Sequence, residues 1–205
     1  MDIISIVTTL VILIFSAIVH EVSHGLMAEK LGDSTARDEG RITLNPIPHI
    51  DPFGSILLPG FLLLVGSPIV FGAAKPVPVN FNNLNPRKLG MALVSVVGPL
   101  SNLILAVLFM LPIKFGLVTG MVGEIWLKAV VINLVLAVFN ILPIPPLDGS
   151  KILGSMLPDN IMYRLLEMER YGFLIVVIFL FLGILDKILL PVVTLFFRLF
   201  GISFS

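Results

Sequence analysis

Residues 20–24 read His-Glu-Val-Ser-His, and their types and spacing could do chemistry. His20 and His24 are four apart, so on a helix both project from one face, one turn from each other. Two imidazoles so placed can hold one tetrahedral zinc ion, with Glu21 beside them as general base. The run Ile3 to Val19 just before them carries no charge. Its length and polarity are those of a membrane helix. An ionisable side chain in such a helix costs a few kcal/mol or more. Three within five residues, in metal-ligand order, are hard to explain as packing.

Few residues can complete the ligand set. Cysteine is absent, which excludes disulfides and thiolate zinc sites, and the histidines are His20, His24 and His49. A catalytic zinc takes three protein ligands and keeps one position open. Asp148 is the strongest candidate for the third. The prolines at 143, 145 and 146 stop the helix before it, and Gly149 permits a turn after it. A helix end broken in this way can face a cavity rather than lipid. Asp148 also reads as the N-cap of a short following helix. The presence of His-Glu-x-x-His on another helix favours the ligand.

The elements that must position these residues are membrane helices. The chain has 205 residues, 57% of them hydrophobic and 13% charged, against the roughly 45–50% apolar share of a soluble domain. The hydrophobicity extends over the whole length. This predicts an all-α polytopic membrane protein, a single domain over 1–205 with a core of about 3–155 and C-terminal helices over 156–205. Thirteen Lys+Arg balance thirteen Asp+Glu without a basic cluster, so the bilayer is the expected partner and nucleic acid is not. The N-terminus lacks the basic region of a signal peptide, and the first helix is expected to be retained.

About five transmembrane helices are predicted, over 3–28, 89–111, 124–142, 171–185 and 188–203. Alternation in Arg41-Ile42-Thr43-Leu44 predicts a small β element near residues 41–58, an edge that could hold an unwound substrate. Residues 53–73 are apolar but broken by Gly54, Pro59, Gly60, Gly66 and Pro68. Depth decides how they are read. Three ligands of one ion must meet, so the first helix and the 124–142 helix should exit on the same side. That requires 53–73 to be re-entrant rather than to cross once. One side then collects Lys30, Arg37, Arg41, Lys75, Arg87, Lys88, Lys151, Arg164 and Arg170. By the positive-inside rule that side is cytoplasmic and the N-terminus lies outside the cell membrane.

The combination of His20-Glu21-Val22-Ser23-His24, Gly98-Pro99-Leu100-Ser101-Asn102 and Asn140 through Asp148-Gly149 resembles the site-2 protease family of intramembrane zinc metalloproteases. The stretch 41–52 and Lys75-Pro76-Val77-Pro78-Val79-Asn80 look like its compact bacterial and archaeal branch. The likeness covers most of residues 10–155. It implies one zinc per chain on His20, His24 and Asp148, and cleavage of substrate transmembrane segments near the cytoplasmic side. It also implies that Asn140 serves the oxyanion or the substrate backbone, a residue whose simpler role is interhelical hydrogen bonding. Asn102 could line a polar cavity with it. His49 reads either as a group approaching that cavity or as a structural loop histidine. Gly98 and Ser101 read as small residues for close helix packing. The 112–123 connector is too short for the PDZ domain that some relatives carry. A transporter or channel using the buried His, Glu and Asp as a relay is the competing class, and an inactive scaffold is a third, which the intact Glu21 opposes.

Overall fold

The computed structural model describes residues 3–64 and 75–202. Helix α1 (Ile3–Lys30) leads into the short α2 (Thr35–Asp38), a single turn at Ile47–His49, and a π-helical stretch Pro52–Leu57 that continues as α3 (Leu58–Leu64). Then follow α4 (Arg87–Lys114), α5 (Gly120–Ile141), α6 (Asp148–Met156), α7 (Asp159–Glu167), a tight turn Met168–Tyr171, α8 (Gly172–Phe181) and α9 (Ile184–Leu199). Inside lipid a backbone must bond to itself, and these apolar runs do so as helices.

Among the described residues, α1, α4 and α5 are the helices long and apolar enough to cross a membrane. They alternate in direction. The Leu31 carbonyl just past α1 accepts the Asn85 N–H at 2.9 Å, so α1 ends where α4 begins. The linker from α4 to α5 is only residues 115–119. Hence α5 returns to the end of the bundle where α1 finishes, and delivers Asp148 there. The expected common exit of the two ligand-bearing helices is present.

The count of about five spans is not found. The two last apolar runs form α8 and α9, neither as long as α1, α4 or α5. Gly172 at the start of α8 lies against Pro146. At the other end, the Phe200 ring is 5.5 Å from Lys114 Nζ. The pair therefore carries the chain from one end of the bundle to the other once, broken at Gly183, whose φ of 63° suits glycine. Along α9, Val193, Phe196 and Phe197 pack into a core with Ala106 and Met110 of α4 and Val130 and Leu134 of α5.

The predicted β element near 41–58 is also not formed; the described residues contain no strand. Pro46 and Pro48 remove ladder donors. Arg41 turns inward and donates to the carbonyls of Lys75 (2.8 Å) and Pro76 (3.2 Å). Part of the segment read as re-entrant, residues 65–74, lies outside the described residues. Its two flanks meet, because Lys75 N–H donates to the His49 carbonyl at 2.8 Å.

From there residues 75–80 run extended along α1 as a strap. Val77 N–H donates to Glu21 Oε2 at 2.8 Å, and Asn80 N–H to Asp33 Oδ2 at 2.7 Å. Asp33 is fully buried and also accepts from Asn83 Nδ2 at 2.9 Å and from the Thr35 hydroxyl. Burial opposes its charge, but these donors outweigh burial and hold its carboxyl below the usual range.

Candidate active site

His20 and His24 project from one face of α1, both buried. With α1 ending at Lys30, His20 lies ~15 Å in from that end. Each imidazole is committed at Nδ1. His20 Nδ1 lies 2.6 Å from Asn102 Oδ1, and His24 Nδ1 lies 2.6 Å from the Val94 carbonyl. A carbonyl can only accept, so His24 Nδ1 carries the proton and its Nε2 offers a lone pair.

The Nε2 atoms face the same carboxylate oxygen. Asp148 Oδ2 lies 3.0 Å from His20 Nε2 and 3.2 Å from His24 Nε2. Asp148 is the first residue of α6, and Leu147 is the cap position, with no side-chain cap bond. The N-cap reading of Asp148 is thereby replaced: its carboxylate turns to the histidines.

Gly149 is needed for close approach more than for a turn. A Cβ there would collide with the Ile141 and Leu142 carbonyls. Gly98 is likewise more than a packing residue. A Cβ at Gly98 would stand 2.7 Å from His20 Nε2 and would overlap the His24 ring. The bare backbone of α4 forms one wall of the cluster.

A cavity of about 470 Å³ opens onto it. The strap supplies Val77 and Val79, and α8 and α9 supply Leu180, Leu185 and Leu189, so the site draws on residues well beyond 155. Glu21 lines it, with Oε2 held by Val77 N–H. Among the described residues, Lys151 is the one cation in a lining that also holds the carboxylates of Glu21, Asp148 and Glu169. Its Nζ stands 3.8 Å from Asp148 Oδ1 and 3.7 Å from Glu169 Oε1. Three acids against one base leave the cavity receptive to a cation.

The set His20, His24 and Asp148 could hold a metal ion, with one ligand atom from each and all three atoms within 4.8 Å of one another. Three acceptor atoms aimed at each other repel unless a proton or a cation lies between them. With both Nδ1 positions already committed, a metal fits this donor set without rearrangement.

Comparison with known proteins decides the class. Over 175 residues the chain is 41% identical to YwhC of Bacillus subtilis (strain 168), a candidate zinc metalloprotease, covering 80% of this chain and 75% of that protein. Residues 116–184 match peptidase family M50. The chain belongs to peptidase family M50. It is also 28% identical over 201 residues to Rip2 of Mycolicibacterium smegmatis, covering 93% and 73% of the two chains. Over 139 residues it is 36% identical to MJ0611 of Methanocaldococcus jannaschii, covering 66% and 63%. Both relatives are likewise named as candidate zinc metalloproteases. No solved structure matches the chain significantly. With its apolar helices, this M50 peptidase is a multi-pass membrane protein.

The remaining sequence candidates of the M50 peptidase part company. Asn140 lines the cavity, with Nδ2 donating to the Leu136 carbonyl at 2.9 Å. Asn102 is fully buried behind His20 and is absent from the lining. His49 is buried in its loop, 2.9 Å from the Thr43 carbonyl through Nε2, and does not line the cavity either. Sequence reasoning passed over Asn133 of α5, although an amide in a span is itself a flag for function or interhelical bonding.

Proposed function

We propose that this M50 peptidase is a zinc-dependent intramembrane protease, with His20, His24 and Asp148 as ligands of one zinc ion per chain. The carrying observation is the convergence of three acceptor atoms on one point, with both imidazole Nδ1 atoms occupied elsewhere. The substrate is a transmembrane segment of another protein. When bound, zinc would supply Lewis-acid chemistry, polarising the scissile carbonyl and lowering the pKa of water.

The chain's own residues do the rest. Glu21 Oε2 is held by Val77 N–H. Its Oε1 is then free to take a proton from water and pass it to the leaving amine. Asn140 donates to the oxyanion or to the substrate backbone from the cavity wall. The strap and the leucines of α8 and α9 shield the scissile bond from lipid. Four passages cross the bilayer: α1, α4, α5 and the α8–α9 pair. The basic end of the bundle faces the cytoplasm. A transport relay would account for the ionisable groups but not for a peptidase family.

The test combines zinc analysis with cleavage of a transmembrane reporter. Glu21→Gln should retain stoichiometric zinc and lose cleavage by ~100-fold or more. His24→Ala should lose both. Cleavage by Glu21→Gln at the native rate would sink the mechanism.

A further inference from the structure

Behind the imidazoles lies a polar cluster that the chemistry does not touch. Ser16 of α1, Asn102 of α4 and Asn133 of α5 are each 0% exposed, within helices that are largely apolar. Such groups are costly in a membrane interior unless paired. These three are paired throughout. Asn133 Nδ2 donates to the Ala129 carbonyl and to Ser16 Oγ, both at 2.9 Å. Asn133 Oδ1 accepts from Asn102 Nδ2 at 2.9 Å. Asn102 Nδ2 also donates to the Ser16 carbonyl at 3.2 Å. Asn102 Oδ1 is left for His20 Nδ1, at 2.6 Å.

Two backbone carbonyls set the direction of the whole chain of bonds. The carbonyls of Ala129 and Ser16 can only accept, so the amide atom facing each must be nitrogen. Asn133 therefore turns its oxygen to Asn102, and Asn102 turns its oxygen to His20. An amide oxygen at 2.6 Å requires His20 Nδ1 to carry the proton, which leaves the lone pair on Nε2. His24 reaches the same state in one step, on the Val94 carbonyl. His20 has no such carbonyl and takes its direction from another helix.

We propose that Asn133 is a positioning residue of the metal site, acting through Asn102 to hold His20 in the tautomer whose Nε2 faces the metal. This rests on the zinc reading above. An apolar residue at 133 would leave a buried Asn102 N–H unpaired.

The experiment uses the full chain in detergent micelles with ¹⁵N-labelled histidine, whose shifts distinguish the two neutral tautomers. In the metal-free protein His20 is expected to be protonated at Nδ1. In Asn133→Leu, His20 should become a mixture of tautomers while His24 keeps its own. Zinc affinity of the folded variant should fall about 10-fold, the lower end of what outer-shell partners of a ligating histidine contribute. Asn133→Ala provides the same reading where leucine does not fit. The proposal is overturned if wild-type His20 is protonated at Nε2 alone, with Nδ1 bare, or if the folded variants keep the native Nδ1 proton and bind zinc as tightly as wild type. The latter would make Asn133 interhelical glue alone. A wild-type protein that binds no zinc defeats the zinc reading instead, and the tautomer of His20 still decides the role of Asn133.

Discussion

At the scale of single residues, the cluster is as sensitive to added atoms as to lost ones. A methyl group at Gly98 would enter the space beside both Nε2 atoms. Overpacking of this kind costs about 1–3 kcal/mol. Gly98→Ala should therefore weaken zinc binding by roughly 10-fold or more, measured by competition with a chelating dye, while leaving the helical content unchanged. The pairing of His20 with His24 was legible because helical periodicity puts residues four apart on one face, with Glu21 beside them. Asp148 was legible only as an alternative between ligand and cap, since both uses suit an aspartate before a short helix. The place of Asn102 was not legible. Whether an amide faces a cavity or the back of an imidazole depends on the rotation of α4 against α1, which no local pattern encodes.

At the scale of elements, the strap over 75–80 is clamped rather than loose. It is tied through Lys75 to His49, through Val77 to Glu21, and through Asn80 to Asp33. Asp33 is the anchor most open to test. Hydrogen bonds to a buried charge are worth about 1.5–3 kcal/mol each, so Asp33→Ala should destabilise the fold by about 3 kcal/mol in denaturant unfolding. The same anchor predicts a pH dependence. The folded carboxyl titrates below its unfolded value. Its contribution is complete above about pH 4 and is lost as pH falls through the lower, folded value. Wild-type stability should drop with acid in that window, and the Asp33→Ala variant should show a shallower drop. The Pro-rich 75–80 stretch was visible in sequence as part of a family likeness, while its function as a strap was not. The alternation at 41–44 misled because its apolar residues do not share a buried face: Arg41 is buried beneath the strap while Leu44 is exposed.

At the scale of the molecule, the basic end and the site end coincide. Lys30, Arg87 and Lys151 lie there, while Lys114 and Phe200 mark the opposite end. The chain holds no cysteine, so single cysteines report topology cleanly. Ser34→Cys should react with an impermeant thiol reagent only when the cytoplasmic face is opened, and Gly116→Cys from outside in intact cells. Labelling of both from one side would overturn the four-passage arrangement. The sequence already required the two ligand-bearing helices to share an exit, because one ion cannot have ligands at two depths. The last two apolar runs form helices shorter than α1, α4 and α5; hydropathy records that a segment is apolar but not how far it travels.

Composition and spacing by themselves determined the class of environment and the presence of a His-Glu-x-x-His motif on one helix. Those follow from local quantities: apolar length, helical period and the chemistry of each side chain. Tertiary structure alone decided that Asp148 turns to the histidines, that Gly98 forms their wall, and that α8 and α9 line the cavity. It also decided that Asn133 reaches His20 through Asn102. Each of these is a relation between residues far apart in the chain, created when helices pack at a particular rotation. A sequence read along its length shows which groups are costly to bury, and only the packed helices show which group repays that cost.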